Sequence, residues 1–172
     1  MRTAYSYIRF SSKRQELGHS LQRQQEAVKA YCLEHNFKLD ESLSFEDLGR
    51  SGWSGAHLEA EAGLGKFIEA CQTGLINSEG ERPVLLVENL DRLSRDKVTN
   101  ALKLFLNILD YVDIVTLSDN KCYTRDSDAM EIVISITYMA RAHDESQVKS
   151  FRGKKRWENK RELANSGTKK IT

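Results

Sequence analysis

Two short stretches carry side chains that could do chemistry together. The first is Tyr5-Ser6-Tyr7-Ile8-Arg9-Phe10-Ser11-Ser12, the second Leu90-Asp91-Arg92-Leu93-Ser94-Arg95-Asp96. Tyr, Ile and Phe favour a pleated, buried setting, yet Arg9 stands among them, and a buried cation needs a partner. The hydroxyls of Ser11 and Ser12 follow at the carboxyl end, where open α/β sheets bind ligands. A solvated edge strand is the competing reading. In the second stretch, Arg92 and Arg95 stand three apart after an apolar run. On a helix they would share a face. Two guanidiniums beside helix N-terminal amides make a phosphate site, and Asp91 can orient an arginine through a bidentate contact. A surface ion-pair cluster is the competing reading there.

Taken together, a serine, three arginines and no metal-ligand set suggest phosphoryl transfer. Serine would be the nucleophile, and guanidiniums would stabilise charge on the phosphate oxygens. No histidine sits in either stretch to act as base: His19, His57 and His143 lie elsewhere, and His35 ends a helix. Strand parity selects Ser11 over Ser12. Tyr7, Arg9 and Ser11 share one side, expected to be the phosphate side. Ile8, Phe10 and Ser12 share the other, expected to be the apolar packing side.

The elements that must position these residues alternate. Ser20 is a plausible N-cap for a helix running to about Asn36. Ser42 to Phe45 reads as a short strand, and Asp47 to Ala56, with Trp53, as a Gly- and Ser-rich loop. Leu64, Phe67, Ile68 and Cys71 repeat at helical spacing before Gly74. Gly63-Leu64-Gly65 is no dinucleotide fingerprint, because the strand-to-helix setting fails. Pro83 to Asn89 is the clearest buried strand. An apolar stripe from Val98 to Val112 predicts a helix, with Ser94 as its N-cap. Asp113 to Leu117 and Lys121 to Thr124 are further strands. Length favours one long helix from about Asp128 to Asn165, apolar nearly all round in its first half. The face its own domain leaves bare would suit a second copy of the chain. The expected fold is α/β, a mostly parallel sheet of about four to five strands flanked by helices. The expected units are a core over 1–125 and a long helix with a basic tail over 126–172.

The sequence has 172 residues and a formal net charge of +1, so nothing polycationic announces nucleic acid. Charge is uneven, however: from Lys149 onward basic residues dominate, Lys154, Lys155 and Arg156 among them, which suggests an anionic partner. Cys32, Cys71 and Cys122 are far apart, without metal-ligand spacing, and read as reduced thiols. Arg2 and Arg9 interrupt any signal-like run, and no stretch is long enough to span a membrane, so a cytoplasmic protein is expected.

Tyr7-Ile8-Arg9-Phe10-Ser11-Ser12, Ser20-Leu21-Gln22-Arg23-Gln24 and Leu90-Asp91-Arg92-Leu93-Ser94-Arg95-Asp96, in that order, resemble the catalytic domain of the serine site-specific DNA recombinases. That is the resolvase and invertase family, with its large integrase-like members. The resemblance implies that Ser11 attacks a DNA phosphodiester, forming a 5′-phosphoserine link and releasing a 3′ hydroxyl. It implies a homodimer and homotetramer on double-stranded DNA that exchange half-sites and reseal. Bond energy stays in the covalent intermediate, so neither cofactor nor metal is implied. Arg9, Arg92 and Arg95 would act on phosphate, Asp91 would position them, and Tyr7 and Gln24 would support the site. The long helix would be the dimerisation helix.

Some features depart from the family pattern. A further arginine is expected just before the helix near Leu64, where this chain has about Glu61; Arg50 and Lys66 are the basic candidates nearby. The long helix carries Ala142-His143-Asp144-Glu145-Ser146 where Glu-Arg-rich chemistry is expected. Nothing up to Thr172 resembles the family's DNA-binding domain, so a catalytic-domain fragment is expected, weak or inactive alone. The rival readings are a silent assembly domain of the same fold and a serine phosphoesterase that hydrolyses its intermediate.

Overall fold

Strand β1 (Thr3–Phe10) is the axis of a six-stranded sheet, paired on both sides. The structure, a computed structural model, describes residues 1–10, 19–43, 45–48, 62–76, 80–94, 97–138, 141, 155–158 and 160–161. On one edge, the start of β1 runs parallel to β2 (Lys38–Leu39) and its end parallel to β3 (Phe45–Leu48). On the other edge lie β4 (Val84–Val87) and β5 (Asp113–Thr116), both parallel, then β6 (Lys121–Tyr123), antiparallel. The chain leaves β1 towards β2 and β3, then crosses to β4. The carboxyl ends of β1 and β4 therefore flank the point where strand order reverses, the usual ligand position in open α/β sheets.

Both faces of the sheet are covered. Ala4, Val84, Leu86 and Val115 pack under Val28 and Cys32 of α1 (His19–Glu34). Tyr5, Tyr7, Leu85, Val87 and Ile114 pack with α2 (Gly63–Gln72), α3 (Val98–Leu109) and Ile132 and Ile136 from the helical residues 129–138. All four residues of β4 are buried, as a parallel strand between two helical layers requires. Each fully buried side chain of Leu or Phe size contributes about 1.5–3 kcal/mol.

The α/β class, the mostly parallel sheet and a short strand at Lys121–Tyr123 match the sequence reading; that strand is antiparallel, and the described residues form six strands. Several local expectations do not hold. The second strand is not Ser42 to Phe45 but the pair β2 and β3, and Asp47 belongs to β3 rather than to a loop. Helix α3 begins at Val98, with Lys97 at its N-cap, so Ser94 is not the cap and lies buried ahead of the helix. Arg92 lies in a 3-10 turn, Leu90–Arg92, not in the first turn of an α-helix. Helix α1 starts at His19, one residue before the expected cap Ser20. Gly74, with φ +75°, ends α2 as expected. Residues 129–138, 141, 155–158 and 160–161 are helical, and the other residues between them lie outside the described ones, as do Trp53 and most of the expected loop around it. Among the described residues, no helix is long and apolar enough to cross a membrane.

Candidate active site

The two chemistry-bearing stretches meet at the carboxyl ends of β1 and β4. Parity puts Arg9 on the Tyr5 and Tyr7 face of β1, and that face carries the larger core. Parity therefore does not separate an apolar side from an open phosphate side, because helices cover both faces. Arg9 is 1% exposed. Its Nε donates to the Arg92 carbonyl at 2.7 Å and its Nη2 to the Asp91 carbonyl. The 3-10 turn is thereby pinned to the end of β1. A charged donor on a backbone carbonyl contributes more than a neutral one, about 1.5–3 kcal/mol.

Two residues away on the same face, the Tyr7 hydroxyl donates to Asp47 Oδ2 at 2.7 Å. Asp47 is buried, and it also accepts the amide N–H of Gly63 on Oδ1 at 2.8 Å and that of Leu64 on Oδ2 at 3.3 Å. A carboxylate is favourable there because the first amides of a helix lack partners and carry the positive end of its dipole. Ala62, the N-cap residue, has no side-chain hydrogen bond to offer, so Asp47 caps α2 from β3. Burial, then the neighbouring Asp47 carboxylate, pushes the Tyr7 phenol far above its ordinary range, so it stays a donor.

On the solvent side of the turn, Arg92 Nη1 meets Asp91 Oδ2 at 3.2 Å. Its Nε and Nη2 meet Glu88 Oε2 at 3.0 and 2.7 Å. Gln24, buried on α1, donates to the same oxygen at 3.0 Å. Tyr7, Arg9, Gln24, Asp91 and Arg92, all singled out from sequence, are thus gathered at one end of the sheet. Ser11, Arg50, Arg95 and Lys154 lie outside the described residues. Lys66 is exposed on α2, and Lys155 and Arg156 are exposed on the helical residues 155–158. Sequence reasoning missed Asp47 and Glu88. Asp47 shares parity with Phe45, which was the available signal for a buried carboxylate, and Glu88 is the first charge after the apolar run of β4. Among the described residues, no group of His, Cys, Asp or Glu could hold a metal ion.

The family model described as resolvase, N-terminal domain, matches residues 4–164. The chain belongs to this resolvase family. Another protein similar to it is the uncharacterised protein YbcK of Escherichia coli (strain K12), 37% identical over 172 residues, which are 98% of this chain and 33% of that one. The chain therefore spans a third of the length of that curated relative. Two solved structures share the resolvase fold. One is a resolvase family site-specific recombinase from Streptococcus pneumoniae, with TM-score 0.58, 20% identity, and 92% of this chain and 99% of that one covered. The other is the N-terminal catalytic domain of TP901-1 integrase, with TM-score 0.57, 21% identity, and 85% and 99% covered.

Proposed function

We propose that this resolvase domain catalyses site-specific recombination of double-stranded DNA through a covalent serine intermediate. The observation that carries the reading is the pair of bonds from Arg9 to the Asp91 and Arg92 carbonyls. They bring the end of the strand that leads to Ser11 against the turn that bears Arg92. Family membership and the fold likeness support the same reading. Ser11 Oγ attacks a DNA phosphorus, the P–O3′ bond breaks, and the Oγ–P bond forms. The 3′ oxygen leaves with a proton as a hydroxyl, and the serine proton passes to solvent or a neighbouring base. In the reverse direction a 3′ hydroxyl attacks the phosphoserine and frees Ser11. No external energy source enters, because each phosphodiester is exchanged for another ester.

Arg92 and Arg95 bind the phosphate oxygens and stabilise the charge that grows on them. Asp91 orients Arg92, Arg9 fixes the turn from inside the core, and Tyr7 and Gln24 support the site from β1 and α1. Residues 1–125 form the catalytic unit, and residues 126–172 join subunits into dimers and tetramers and carry the basic tail. Arg50, Lys66, Lys154, Lys155 and Arg156 contact the DNA backbone.

The test is the full-length protein on a DNA substrate that traps the cleaved intermediate, read on a denaturing gel and by mass spectrometry. DNA linked through a 5′ phosphate to Ser11, and lost in Ser11→Ala, is the expected result. Attachment at Ser12, or an undiminished adduct in Ser11→Ala, would overturn the assignment. Nicks without adduct would mean a phosphoesterase instead.

A further inference from the structure

Glu88 follows directly on β4, and its carboxylate is shared among three side chains. Oε2 accepts from Arg92 Nε and Nη2 at 3.0 and 2.7 Å and from Gln24 Nε2 at 3.0 Å. Oε1 accepts from Arg23 Nη2 at 3.1 Å. The remaining guanidinium nitrogen of Arg92, Nη1, donates to Asp91 Oδ2 at 3.2 Å. Every nitrogen of Arg92 is therefore engaged by a carboxylate. A guanidinium binds an oxyanion best along one of two edges, Nε with Nη2 or Nη1 with Nη2. Glu88 fills the first edge and holds one corner of the second. A phosphate that reaches Arg92 must displace a carboxylate, since like charges disfavour occupying the fork together.

Glu88 is the carboxylate with somewhere to go. It lines a cavity of about 280 Å³ between α1 and the sheet, together with Arg23, Gln24, Leu117 and Ser118. A rotation towards that cavity would leave Arg92 while keeping Arg23 and Gln24 as partners. Asp91 does not line that cavity, and its backbone carbonyl is held by Arg9.

We infer that Glu88 is a positioning residue that competes with phosphate for Arg92. It holds the guanidinium fork at rest and withdraws to Arg23 and Gln24 when a phosphate takes its place. The inference rests on the reading of Arg92 as a phosphate ligand. Carboxylate and phosphate both present oxygens to the fork, so the exchange conserves hydrogen bonds at Arg92. The resting site is thereby kept ordered, with Arg92 neutralised until DNA arrives.

The test is a titration of the full-length protein with inorganic phosphate, followed by NMR at the Arg92 Nε–H, whose signal is identified by its loss in Arg92→Lys. Glu88→Gln keeps the side-chain shape and removes the competing charge. It should bind phosphate about tenfold more tightly than the wild type. A purely structural Glu88 would give the opposite sign, because its loss would disorder the fork. Equal or weaker binding in Glu88→Gln, or no binding in either protein, would overturn the inference. Should Glu88→Gln not fold, the wild type carries the test. Phosphate must then shift the Gln24 side-chain amide, which touches Glu88 and not phosphate. An Arg92 signal that moves while the Gln24 amide stays still would equally overturn it. DNA adduct formation is scored separately, so a protein that exchanges Glu88 for phosphate yet never forms an adduct would sink the recombination reading alone.

Discussion

Tyr7 and Asp47 join three elements through one hydrogen bond of 2.7 Å, because the carboxylate that accepts from the β1 phenol also caps α2. Removing the carboxylate strands a buried hydroxyl and two helix amides. Asp47→Ala should therefore lower the unfolding free energy by about 2–3 kcal/mol. Tyr7→Phe, which leaves the cap in place, should lower it by about 1 kcal/mol. Urea unfolding followed by circular dichroism checks both. Equal losses would mean that the cap contributes nothing beyond the Tyr7 bond.

Gly63 is required by the same junction. A Cβ there would stand 2.6 Å from the Glu46 backbone nitrogen and 2.8 Å from its oxygen. Backbone cannot yield as a flexible side chain can, so α2 would have to move off β3. Gly63→Ala should cost about 1–3 kcal/mol. Thermal unfolding at the wild-type midpoint would contradict this close approach.

The protein should lose stability in alkali. Burial pushes the Cys71 thiol up to about 12 and the Tyr7 phenol higher still, and it raises Tyr5 and Cys32 as well. Each group keeps its proton in the folded state and loses it more readily when unfolded. Each contribution is therefore complete below the ordinary values of 9.0 for thiols and 10.0 for phenols, and is lost as pH rises towards the folded values. Urea midpoints should be level to about pH 8 and fall from there to pH 11, less steeply in Cys71→Ala. A midpoint that rises over that range would contradict the prediction.

If Arg92 acts on phosphate through its fork, Arg92→Lys keeps the charge and loses the geometry. DNA cleavage by the full-length protein should fall roughly 10²–10³-fold while the fold survives. Undiminished cleavage would reduce Arg92 to a surface ion pair.

Residues 129–138 separate a core face from a candidate interface. Ile136 is 1% exposed, whereas Met130, Ile134 and Tyr138, spaced four apart on one face, are 65%, 47% and 68% exposed. Sedimentation should show reversible self-association at micromolar concentration. Ile134→Asp should abolish that association and leave the fold intact. Ile136→Asp should unfold the chain, since an unpaired charge buried there costs several kcal/mol. A wild-type chain that stays monomeric would remove the case for an interface on this face.

The sequence made the architecture legible wherever one kind of pattern dominated. Val84 to Val87 is apolar throughout, and Val98 to Leu109 repeats at helical period, so the strand and the body of the helix follow from those patterns. Boundaries failed where side chains answer to distant partners. Asp47 looks like a loop residue because an acidic side chain disfavours strands, yet its partners lie on β1 and α2. Ser94 looks like a cap, and the helix waits until Val98 because a 3-10 turn comes first. Arg9 conflicts with its apolar neighbours in sequence, and it bonds to the Asp91 and Arg92 backbone carbonyls, which no sequence pattern displays. Glu88 carries no sequence signal of its partners, because Arg23, Gln24 and Arg92 meet it only in three dimensions.

The strand at the middle of the sheet is also made before the other strands that pair with it. Arg9 waits for a carbonyl 83 positions further along the chain. At about 5–20 residues per second, that is a delay of roughly 4–17 s. During it, the Tyr5 to Phe10 segment has β2 and β3 to pair with but no β4. The nascent chain thus carries a half-clad apolar strand whose cation has yet to meet the Asp91 and Arg92 carbonyls, a target for chaperones and a liability for aggregation. The gathering of Arg9 and Arg92 therefore trails the emergence of β1 by that delay, and nascent chains released before Val87 should be protease-sensitive where longer ones are not.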